Sequence, residues 1–533
     1  MFIKAYTATI YGIDAMTVTV EANVSPGLGM YLVGLPDGAV KESQDRIRSA
    51  FANCNLRMPG KRLVVNLAPA DMRKEGAAFD LPIAIAILGA TEQIKPDNLG
   101  SYMITGELSL DGEIKPVKGV LPMAIDARKA GFRGMIVPIE NIPEAAVVAD
   151  LEVIGVENLR QAADFLDGKL DIAPAPHSID GQNAYDSSQS SDNPNNSNIQ
   201  NLYTEDFSDV RGQTHVKRAL EIAAAGGHNV IMIGAPGSGK TMLARRMPGI
   251  MPPMTLGEAL ETTKVHSVAG KLGSQKGLLT QRPFRAPHHL TSQVALIGGG
   301  SNPQPGEVSL AHNGILFLDE LPEFGRSVLE VLRQPMEEKG ITISRARYSV
   351  EYPANFTLVA SMNPCPCGYY NHPTKECVCG GGVVFRYLNR VSGPLMDRID
   401  LHIEVTPVPL AEISSEAPAE SSTDIRARVI AARRIQQQRF AECAGVHTNA
   451  MMNSKMLRTF CPLSREASAM LETAMERLSL SARAYDRIIK VARTIADLAA
   501  ASTETPTEAS EITTAHIAEA INYRSLDRES WGR

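Results

Sequence analysis

A glycine-rich loop between an apolar run and a helix-forming run constrains the fold more than any other feature of this sequence. The segment 230–241 reads VIMIGAPGSGKT, in which four apolar residues lead into Gly234, Gly237 and Gly239. Glycine adopts backbone angles that turn successive amides toward one point, and the N-terminus of the following helix adds further free amides. The segment therefore predicts a buried strand, an anion-binding loop and a helix, as found in parallel α/β sheets.

The end of this loop indicates which anion binds there. In the spacing G-x-x-x-x-G-K-T, the lysine reaches the β- and γ-phosphates and the next hydroxyl ligates magnesium. Lys240 and Thr241 hold these positions, so ATP and Mg²⁺ are the expected cofactors. A chance glycine loop is the alternative, and the complete spacing between strand and helix argues against it. The predicted nucleotide-binding residues are Gly234, Ala235, Pro236, Gly237, Ser238, Gly239, Lys240 and Thr241.

A second apolar run ends in two carboxylates. Residues 314–320 read GILFLDE, and ligands bind at the carboxyl ends of strands in α/β sheets. We expect Asp319 to hold magnesium together with Thr241, and Glu320 to accept a proton from the water that attacks the γ-phosphate. An acidic strand end in solvent is the alternative, and the position of the run after the glycine-rich loop disfavours it.

The central region resembles the AAA+ module of the branch that contains magnesium-chelatase ATPase subunits and minichromosome maintenance helicases. The segment 341–364 is similar to the hairpin and the following strand of that branch. The resemblance places Asn363 at sensor 1, a polar side chain that positions the hydrolytic water. Residues 395–400, LMDRID, resemble the segment that carries the arginine finger, which implies that Arg398 reaches the γ-phosphate of a neighbouring subunit.

Further arginines can be interpreted either as surface charges or as functional residues. Residues 481–489 resemble the lid helix that carries sensor 2, which implies a role for Arg483. Arg386 and Arg390 compete with Arg398 for the arginine-finger position. Each arginine alone is equally well explained as a solvated surface charge, and the order of these segments after the two phosphate-site motifs favours function.

Apart from one polar stretch, the whole chain is similar to the YifB/ComM family of magnesium-chelatase-like proteins. Residues 282–289, RPFRAPHH, and 388–398, LNRVSGPLMDR, look like signatures of that family. ComM-type members are hexameric DNA branch-migration helicases used in natural transformation. The resemblance therefore implies a homo-hexamer that acts on single-stranded or branched DNA. The net charge of −6 neither indicates nor excludes a nucleic-acid partner, because a ring can concentrate basic residues locally.

The N-terminal region resembles the proteolytic domain of Lon proteases. Residues 105–119 carry the similarity, and so do 127–138. That domain uses a serine activated by a lysine. The aligned positions hold Ala78 and Leu121, which supply neither a nucleophile nor a base, although Lys118 lies close to the second position. We expect a degenerate docking or DNA-facing domain without protease activity.

The chain of 533 residues is long enough for about three domains. Residues 187–197 contain no apolar side chain to bury and predict a disordered linker. The expected fold is α/β, with a Lon-protease-like α+β domain over 1–170, a linker over 171–200, an AAA+ P-loop α/β core over 201–410 and a C-terminal helical lid over 423–533. A signal peptide and a run long enough to cross a bilayer are missing, so a cytoplasmic protein without membrane contact is expected.

Four of the seven cysteines lie within 15 positions, as the pairs Cys365/Cys367 and Cys377/Cys379. Four thiolates suit tetrahedral zinc, which would clip the loop and leave no open position for catalysis. Because Cys-x-Cys is less typical of zinc sites than Cys-x₂-Cys, four reduced surface cysteines remain the alternative. His372 is a substitute ligand.

Arg345 and Arg347 alternate on the predicted hairpin and would share one face. Six copies in a ring could grip phosphates in the pore, and the resemblance aligns Arg345 with a pore lysine of the minichromosome maintenance hairpin. Three functions follow: a DNA-translocating motor, a chelatase-like ATPase that remodels a metal-inserting partner, and a chaperone-like ATPase that remodels protein.

Overall fold

The computed structural model describes residues 1–95, 97–177, 205–273, 277–300, 303–345, 348–372, 374–409, 412, 419–478, 480–501 and 511–524. Residues 178–200 of the predicted linker and Arg347 lie outside the described residues. The chain forms two compact units. The first comprises Met1–Ser191, Thr255–Thr280 and Ser344–Tyr352, and the second comprises Asp192–Met254, Gln281–Ile343 and Pro353–Arg533.

The first unit is built on a seven-stranded mixed sheet. In spatial order the strands are Met30–Val33, Arg62–Ala68, Asp14–Ser25, Phe2–Tyr11, Tyr102–Ile104, Gly134–Pro138 and Glu152–Val156. The third strand is antiparallel to both the second and the fourth, and the remaining neighbouring pairs are parallel. A two-residue ladder joins Glu107–Leu108 to Ile114–Lys115. The helices of this unit are Gly38–Asn53, Asp80–Ala90, Val120–Lys129, Ile142–Ala145, Leu159–Leu166 and Leu256–Val268.

The helix Asp80–Ala90 forms the centre of this core, because every one of its residues is buried. Its first residue, Asp80, is paired with Arg46 at 2.6 Å, which satisfies a carboxylate that burial would otherwise destabilise. The two positions aligned with the catalytic serine and lysine of Lon proteases, Ala78 and Leu121, both make structural contacts. Leu121 lies inside an apolar cluster, and the carbonyl of Ala78 accepts a hydrogen bond from the Gly106 amide at 3.2 Å.

The second unit contains a five-stranded sheet in which all neighbouring strands are parallel. Its spatial order is Phe284–Arg285, Ile315–Leu318, Thr357–Met362, Val230–Ile233 and Leu401–Glu404. The three central strands are buried along their whole length, as expected for a parallel sheet covered by helices on both faces. In this sheet Thr357–Met362 lies between Val230–Ile233, which leads into the glycine-rich loop, and Ile315–Leu318, which leads into Asp319 and Glu320.

The described helices of this unit fall into those interspersed with the strands of the sheet and those of a helical C-terminal region. The first group comprises Thr214–Gly226, Lys240–Arg246, Gln293–Ile297, Glu307–Leu310, Arg326–Glu330, Arg333–Glu338, Gly381–Leu388 and Gly393–Met396. The C-terminal helices are Ser422–Arg439, Ser454–Phe460, Arg465–Arg477, Ala482–Ala501 and Thr514–Asn522. The predicted fold class, an α/β core with a parallel sheet followed by a helical lid, is confirmed.

Two small ladders complete the described strands. One joins Gly298–Gly299 to Gln304–Pro305, and the other joins Gly340–Arg345 to Tyr348–Pro353, where the hairpin was predicted. Arg345 is the last residue of its strand. Among the described helices, none is both long enough and apolar enough to cross a membrane.

Candidate functional site

The glycine-rich loop follows the buried strand Val230–Ile233 and leads into the helix Lys240–Arg246. Gly237 and Gly239 have φ angles of 78° and 93°, in the left-handed region that glycine adopts without strain. Gly234 tolerates no side chain, because a Cβ atom there would lie 2.3 Å from the Val405 carbonyl oxygen. These glycines shape a loop that opens onto the N-terminus of a helix, which is an anion-binding geometry.

Lys240 lies inside the loop and is 9% exposed. Its ammonium donates hydrogen bonds to the carbonyls of Gly234 at 2.7 Å and Ala235 at 3.0 Å. It also donates to Oδ1 of Asn363 at 3.3 Å, which joins the sensor-1 position to the loop. Burial lowers the pKa of Lys240, whereas the charges of Asp319 and Glu320 oppose that shift. A bound phosphate would supply a further countercharge to this buried ammonium.

Asp319 accepts hydrogen bonds from two hydroxyl groups. The Thr241 hydroxyl donates to Oδ2 at 2.8 Å, and the Ser361 hydroxyl donates to Oδ1. Carboxylate and hydroxyl oxygens are hard ligands of the kind that Mg²⁺ takes, usually together with water and substrate phosphates. The residues present therefore suit a magnesium–nucleotide complex. Sequence reasoning missed Ser361, whose only signal is a hydroxyl within the apolar run of Thr357–Met362.

Glu320 adopts a left-handed backbone conformation with φ 53°, which is uncommon for a non-glycine residue. Its amide donates to Oδ1 of Asp319 at 3.1 Å and to the Ser361 hydroxyl at 3.3 Å. Its carboxylate lies 3.6 Å from Nδ1 of His289. His289 closes the RPFRAPHH segment, in which sequence reasoning assigned no separate role to the histidines.

The structure brings together Lys240, Thr241, Asp319, Glu320 and Asn363. Asn363 follows the strand Thr357–Met362, whose last residue pairs with Ile233 directly before the loop. The parallel register therefore delivers three separate chain segments to one sheet edge.

The predicted arginine finger, Arg398, and the predicted sensor 2, Arg483, contact a different group of residues from those of the phosphate site. Arg398 is 6% exposed and pairs with Glu337 at 2.6 Å, while it also donates to the Pro394 carbonyl at 2.6 Å. Arg483 pairs with Asp397, the residue before Arg398, at 3.6 Å. In these described contacts, the partners of both arginines lie outside the glycine-rich loop.

The rival arginines also have local partners. Arg390 pairs with Glu323 at 3.0 Å and lies over the Tyr387 ring. Arg386 donates to the Gly382 carbonyl at 3.1 Å, one helical turn before it. Neither contact favours one of them over Arg398 as the finger.

A buried ion pair that the sequence did not reveal ties the lid to the core. Arg487, on the helix Ala482–Ala501, contacts the buried carboxylate of Asp400. Burial would raise the pKa of Asp400, and the Arg487 charge together with His228 holds that pKa well below its usual range. Further along the same helix, the Thr494 hydroxyl lies 2.8 Å from Nε2 of His228. The lid helix is therefore anchored beside the segment that carries Arg398.

The four clustered cysteines converge. Their sulfur atoms all lie within 4.8 Å of one another, and Cys365–Cys367, Cys367–Cys377 and Cys365–Cys377 are 3.3, 3.6 and 3.7 Å apart. A tetrahedral zinc with Zn–S bonds of about 2.3 Å separates its sulfurs by about 3.8 Å, so the spacing suits this ion.

The residues around the cysteines link the cluster to the phosphate loop. His372 is engaged elsewhere, since its Nδ1 accepts from the Lys375 amide at 3.1 Å. A Cβ atom added at Gly368 would lie 2.4 Å from Pro236, so the cysteine-bearing loop lies directly against the phosphate loop.

Comparisons with known proteins agree with this geometry. Family models match three parts of the chain: "Magnesium chelatase, subunit ChlI" over residues 206–413, "Subunit ChlI of Mg-chelatase" over 20–141 and "Magnesium chelatase, subunit ChlI C-terminal" over 419–524. The chain is 44% identical to competence protein ComM of Haemophilus influenzae over 526 residues, which covers 98% of this chain and 97% of the relative.

Two further relatives match the chain to different extents. The uncharacterized protein YifB of Escherichia coli is 43% identical over 526 residues, with 98% of this chain and 97% of YifB covered. Lon protease 2 of Bacillus subtilis is 31% identical over 125 residues, which is 23% of this chain and 22% of the protease.

Proposed function

The chain belongs to the YifB/ComM family of magnesium-chelatase-like AAA+ ATPases, and we propose that it is a hexameric motor that hydrolyses ATP to move along or remodel DNA. The convergence of Lys240, Thr241, Asp319 and Asn363 at one sheet edge carries the hydrolytic part of this proposal. Within that class, a helicase or branch-migration factor of the ComM type, acting in recombination or natural transformation, is the function we favour. Such a motor would work on DNA in the cytoplasm.

Each residue of the phosphate site has a role in the proposed reaction. The loop amides and Lys240 would hold the β- and γ-phosphates, and Thr241 with Asp319 would hold a magnesium ion, which would supply positive charge against the developing negative charge. Glu320 accepts a proton as the water oxygen bonds to the γ-phosphorus and the bond to the ADP oxygen breaks. Asn363, already bonded to Lys240, orients that water.

The contacts of Arg398 and Arg483 are consistent with a ring-shaped assembly of several copies of the chain. Arg398 and Arg483 meet Glu337 and Asp397 rather than the phosphate loop of their own chain. An arginine that stabilises the transferring phosphoryl group can be supplied by a neighbouring molecule. We propose that Arg398 exchanges its carboxylate partner for the γ-phosphate of the adjacent subunit in a homo-hexamer, and that Arg483 acts as sensor 2.

We propose that Cys365, Cys367, Cys377 and Cys379 hold one structural zinc ion. The sulfur spacing supports it, and four protein ligands would close the site to catalysis. Because Gly368 abuts Pro236, loss of the metal would loosen a loop that lies against the phosphate site.

DNA is the proposed substrate because of the hairpin and the relatives. Arg345 and Arg347 are the proposed phosphate contacts, and the strand after the hairpin leads to Asn363, so a load on the hairpin can reach the nucleotide. The Haemophilus relative is a competence protein, which agrees with the proposed role in natural transformation. The family models keep a second candidate open, an ATPase that remodels a protein partner as chelatase subunits do.

An ATPase assay with added DNA separates these functions. A DNA motor hydrolyses ATP faster when DNA is present. Stimulation by unfolded polypeptide, or by a metal-binding partner protein, without an effect of DNA would favour the second candidate.

A further inference from the structure

The sheet of the N-terminal unit exposes side chains on one face at its antiparallel end. That end is formed by the neighbouring strands Met30–Val33, Arg62–Ala68, Asp14–Ser25 and Phe2–Tyr11. Every second residue of these strands points to the face opposite the apolar core. We call nine of these residues the outer face: Phe2, Lys4, Glu21, Asn23, Tyr31, Val33, Arg62, Val64 and Asn66. All nine are exposed or half-buried.

Helices cover the two sides of this sheet unequally. On the inner side, one apolar cluster joins the strands to the helices Gly38–Asn53 and Asp80–Ala90. On the outer side, the helix Val120–Lys129 packs with Ala8 and Ala15, which lie toward the other end of the first two strands. The outer face lies beyond these contacts, where Phe2 is 55% exposed and Tyr31 is 49% exposed. Two aromatic rings therefore face solvent on a sheet.

Strand register arranges eight residues of the outer face in two rows. The rows, in order across the sheet, are Tyr31, Val64, Asn23 and Phe2, and then Val33, Asn66, Glu21 and Lys4. Neighbouring strands lie about 4.8 Å apart, so three intervals place the Cα atoms of Tyr31 and Phe2 about 14 Å apart. Because of this separation, the two rings can stack on different bases of one strand.

Each of these rings has a cation beside it. Nζ of Lys4 lies 5.8 Å from the centroid of the Phe2 ring, and Cζ of Arg62 lies 5.1 Å from that of Tyr31. Glu21 is the one carboxylate among the nine residues, and it is engaged by Lys4 at 3.7 Å and by Nδ2 of Asn66 at 2.9 Å. The outer face thus combines aromatic rings with positive charge, although the whole chain has a net charge of −6.

Single-stranded nucleic acid is complementary to such a face. Its unpaired bases stack on aromatic rings, and its phosphates attract lysine and arginine. In a duplex the bases are already stacked on one another, so the rings would find no free base. A protein partner would favour a continuous apolar patch, whereas polar and charged residues fill most of the second row.

We infer that the outer face is a binding surface for single-stranded DNA, in which Phe2 and Tyr31 stack on bases and Lys4 and Arg62 contact phosphates. The inference rests on the proposed function, because it adds a second DNA contact to that of the hairpin. The two contacts differ in chemistry. The hairpin arginines contact phosphates, whereas the outer face also holds bases, without preference for a sequence.

Fluorescence anisotropy of the full chain with two labelled strands of equal length, an oligothymidine and an abasic strand, tests the inference. The parent should bind the oligothymidine more tightly. Phe2→Ala with Tyr31→Ala should weaken that binding at least about tenfold and leave the abasic strand unaffected, because stacking on a ring contributes about fivefold or more per base. Phe2→Tyr with Tyr31→Phe keeps both rings and should bind as the parent. Leu110→Ala with Ile139→Ala, at exposed apolar positions of the same unit, is the matched control.

Lys4→Gln with Arg62→Gln tests the phosphate contacts. This variant should bind both strands more weakly than the parent. The slope of log affinity against log salt should become shallower by about 1.4, because two phosphate contacts are lost. An unchanged slope would contradict the role of these two cations.

Unchanged binding of the oligothymidine by Phe2→Ala with Tyr31→Ala, where the parent binds it, would overturn the inference and leave the proposed function intact. Equal affinity of the parent for the oligothymidine and the abasic strand would also overturn it. A change in the number of subunits in that variant without a change in DNA affinity would assign the outer face to a contact between copies of the chain. A parent that binds no DNA, and whose ATP hydrolysis no DNA accelerates, would contradict the proposed function itself.

Discussion

The hydroxyl of Thr241 donates a hydrogen bond to the carboxylate of Asp319 across 2.8 Å. The two residues are 78 positions apart in sequence and follow two strands that flank Thr357–Met362 in the sheet. The contact joins the end of the glycine-rich loop to the end of the acidic strand, and both oxygens are ligands that magnesium accepts.

Lys240→Ala should abolish ATP binding, whereas Glu320→Gln should bind ATP and turn it over at least about a hundredfold more slowly than the parent. The lysine contacts the phosphates of the ground state, while the glutamate acts on the attacking water. Equilibrium titration with a fluorescent ATP analogue and a phosphate-release assay measure the two properties separately. If Lys240→Ala bound the analogue as tightly as the parent, the phosphate site would lie elsewhere.

Arg398→Ala should lower the rate of hydrolysis by about a thousandfold while ATP affinity changes little, because its proposed contact is with the nucleotide of a neighbour. Mixing this variant with Lys240→Ala tests the subunit boundary. Each variant lacks a different half of the site, so mixed rings contain some intact sites and should regain activity. Mixed rings that form but stay inactive would place the action of Arg398 within its own chain.

Protein purified without chelator should contain one zinc ion per chain by elemental analysis. Cys367→Ser and Cys377→Ser should each lower that content sharply, because zinc prefers a complete set of thiolates. Cys443→Ser is the matched control, since Cys443 lies outside the cluster. Folded, active parent protein without metal would refute the zinc site.

Asp497→Ala should destabilise the lid by about 3–5 kcal/mol, because it leaves the buried guanidinium of Arg439 without its carboxylate. The two side chains are almost fully buried, with Arg439 Nη1 and Asp497 Oδ2 2.9 Å apart. The free energy of unfolding of the lid transition in urea is the measurement. Glu113→Ala, which breaks an exposed pair with Lys115, should leave the free energy of unfolding almost unchanged. Equal losses in both variants would contradict the argument from burial.

The parts of the site that are formed by residues adjacent in the sequence could be predicted from the sequence. Gly234 to Thr241 form one contiguous motif, and the run ending at Asp319 and Glu320 has the pattern of a buried strand, so both could be identified without a structure. The α/β core was predicted from the strand–loop–helix motif and the family resemblance, and that resemblance is confirmed by the relatives.

Side-chain partners distant in sequence could not be predicted. Ser361 bonds to Asp319 across 42 positions, and Arg487 pairs with Asp400 across 87 positions. An apolar strand pattern does not show which of its few polar residues faces a neighbouring strand end. Likewise, the grouping of Thr255–Thr280 with the N-terminal residues depends on chain reversals that leave no periodic signal.

Arg345→Ala with Arg347→Ala should leave basal ATP hydrolysis largely intact and abolish its stimulation by DNA. The hairpin is separate in sequence from the phosphate loop, yet three residues after its second strand begins the strand Thr357–Met362, which directly precedes Asn363. Arg458→Ala with Arg465→Ala removes two exposed charges from the lid and serves as the matched control. Equal stimulation of the hairpin variant and the parent would exclude the hairpin from the DNA path.

The most direct measurement of the proposed function is ATP hydrolysis by the parent chain with single-stranded, duplex and four-way junction DNA at two salt concentrations. We expect at least one of these DNAs to accelerate hydrolysis. The acceleration should weaken steeply at the higher salt concentration, because each neutralised phosphate releases counterions. Hydrolysis that proceeds at the same rate with and without every DNA at both salt concentrations would contradict a DNA motor and favour an ATPase that remodels a protein partner.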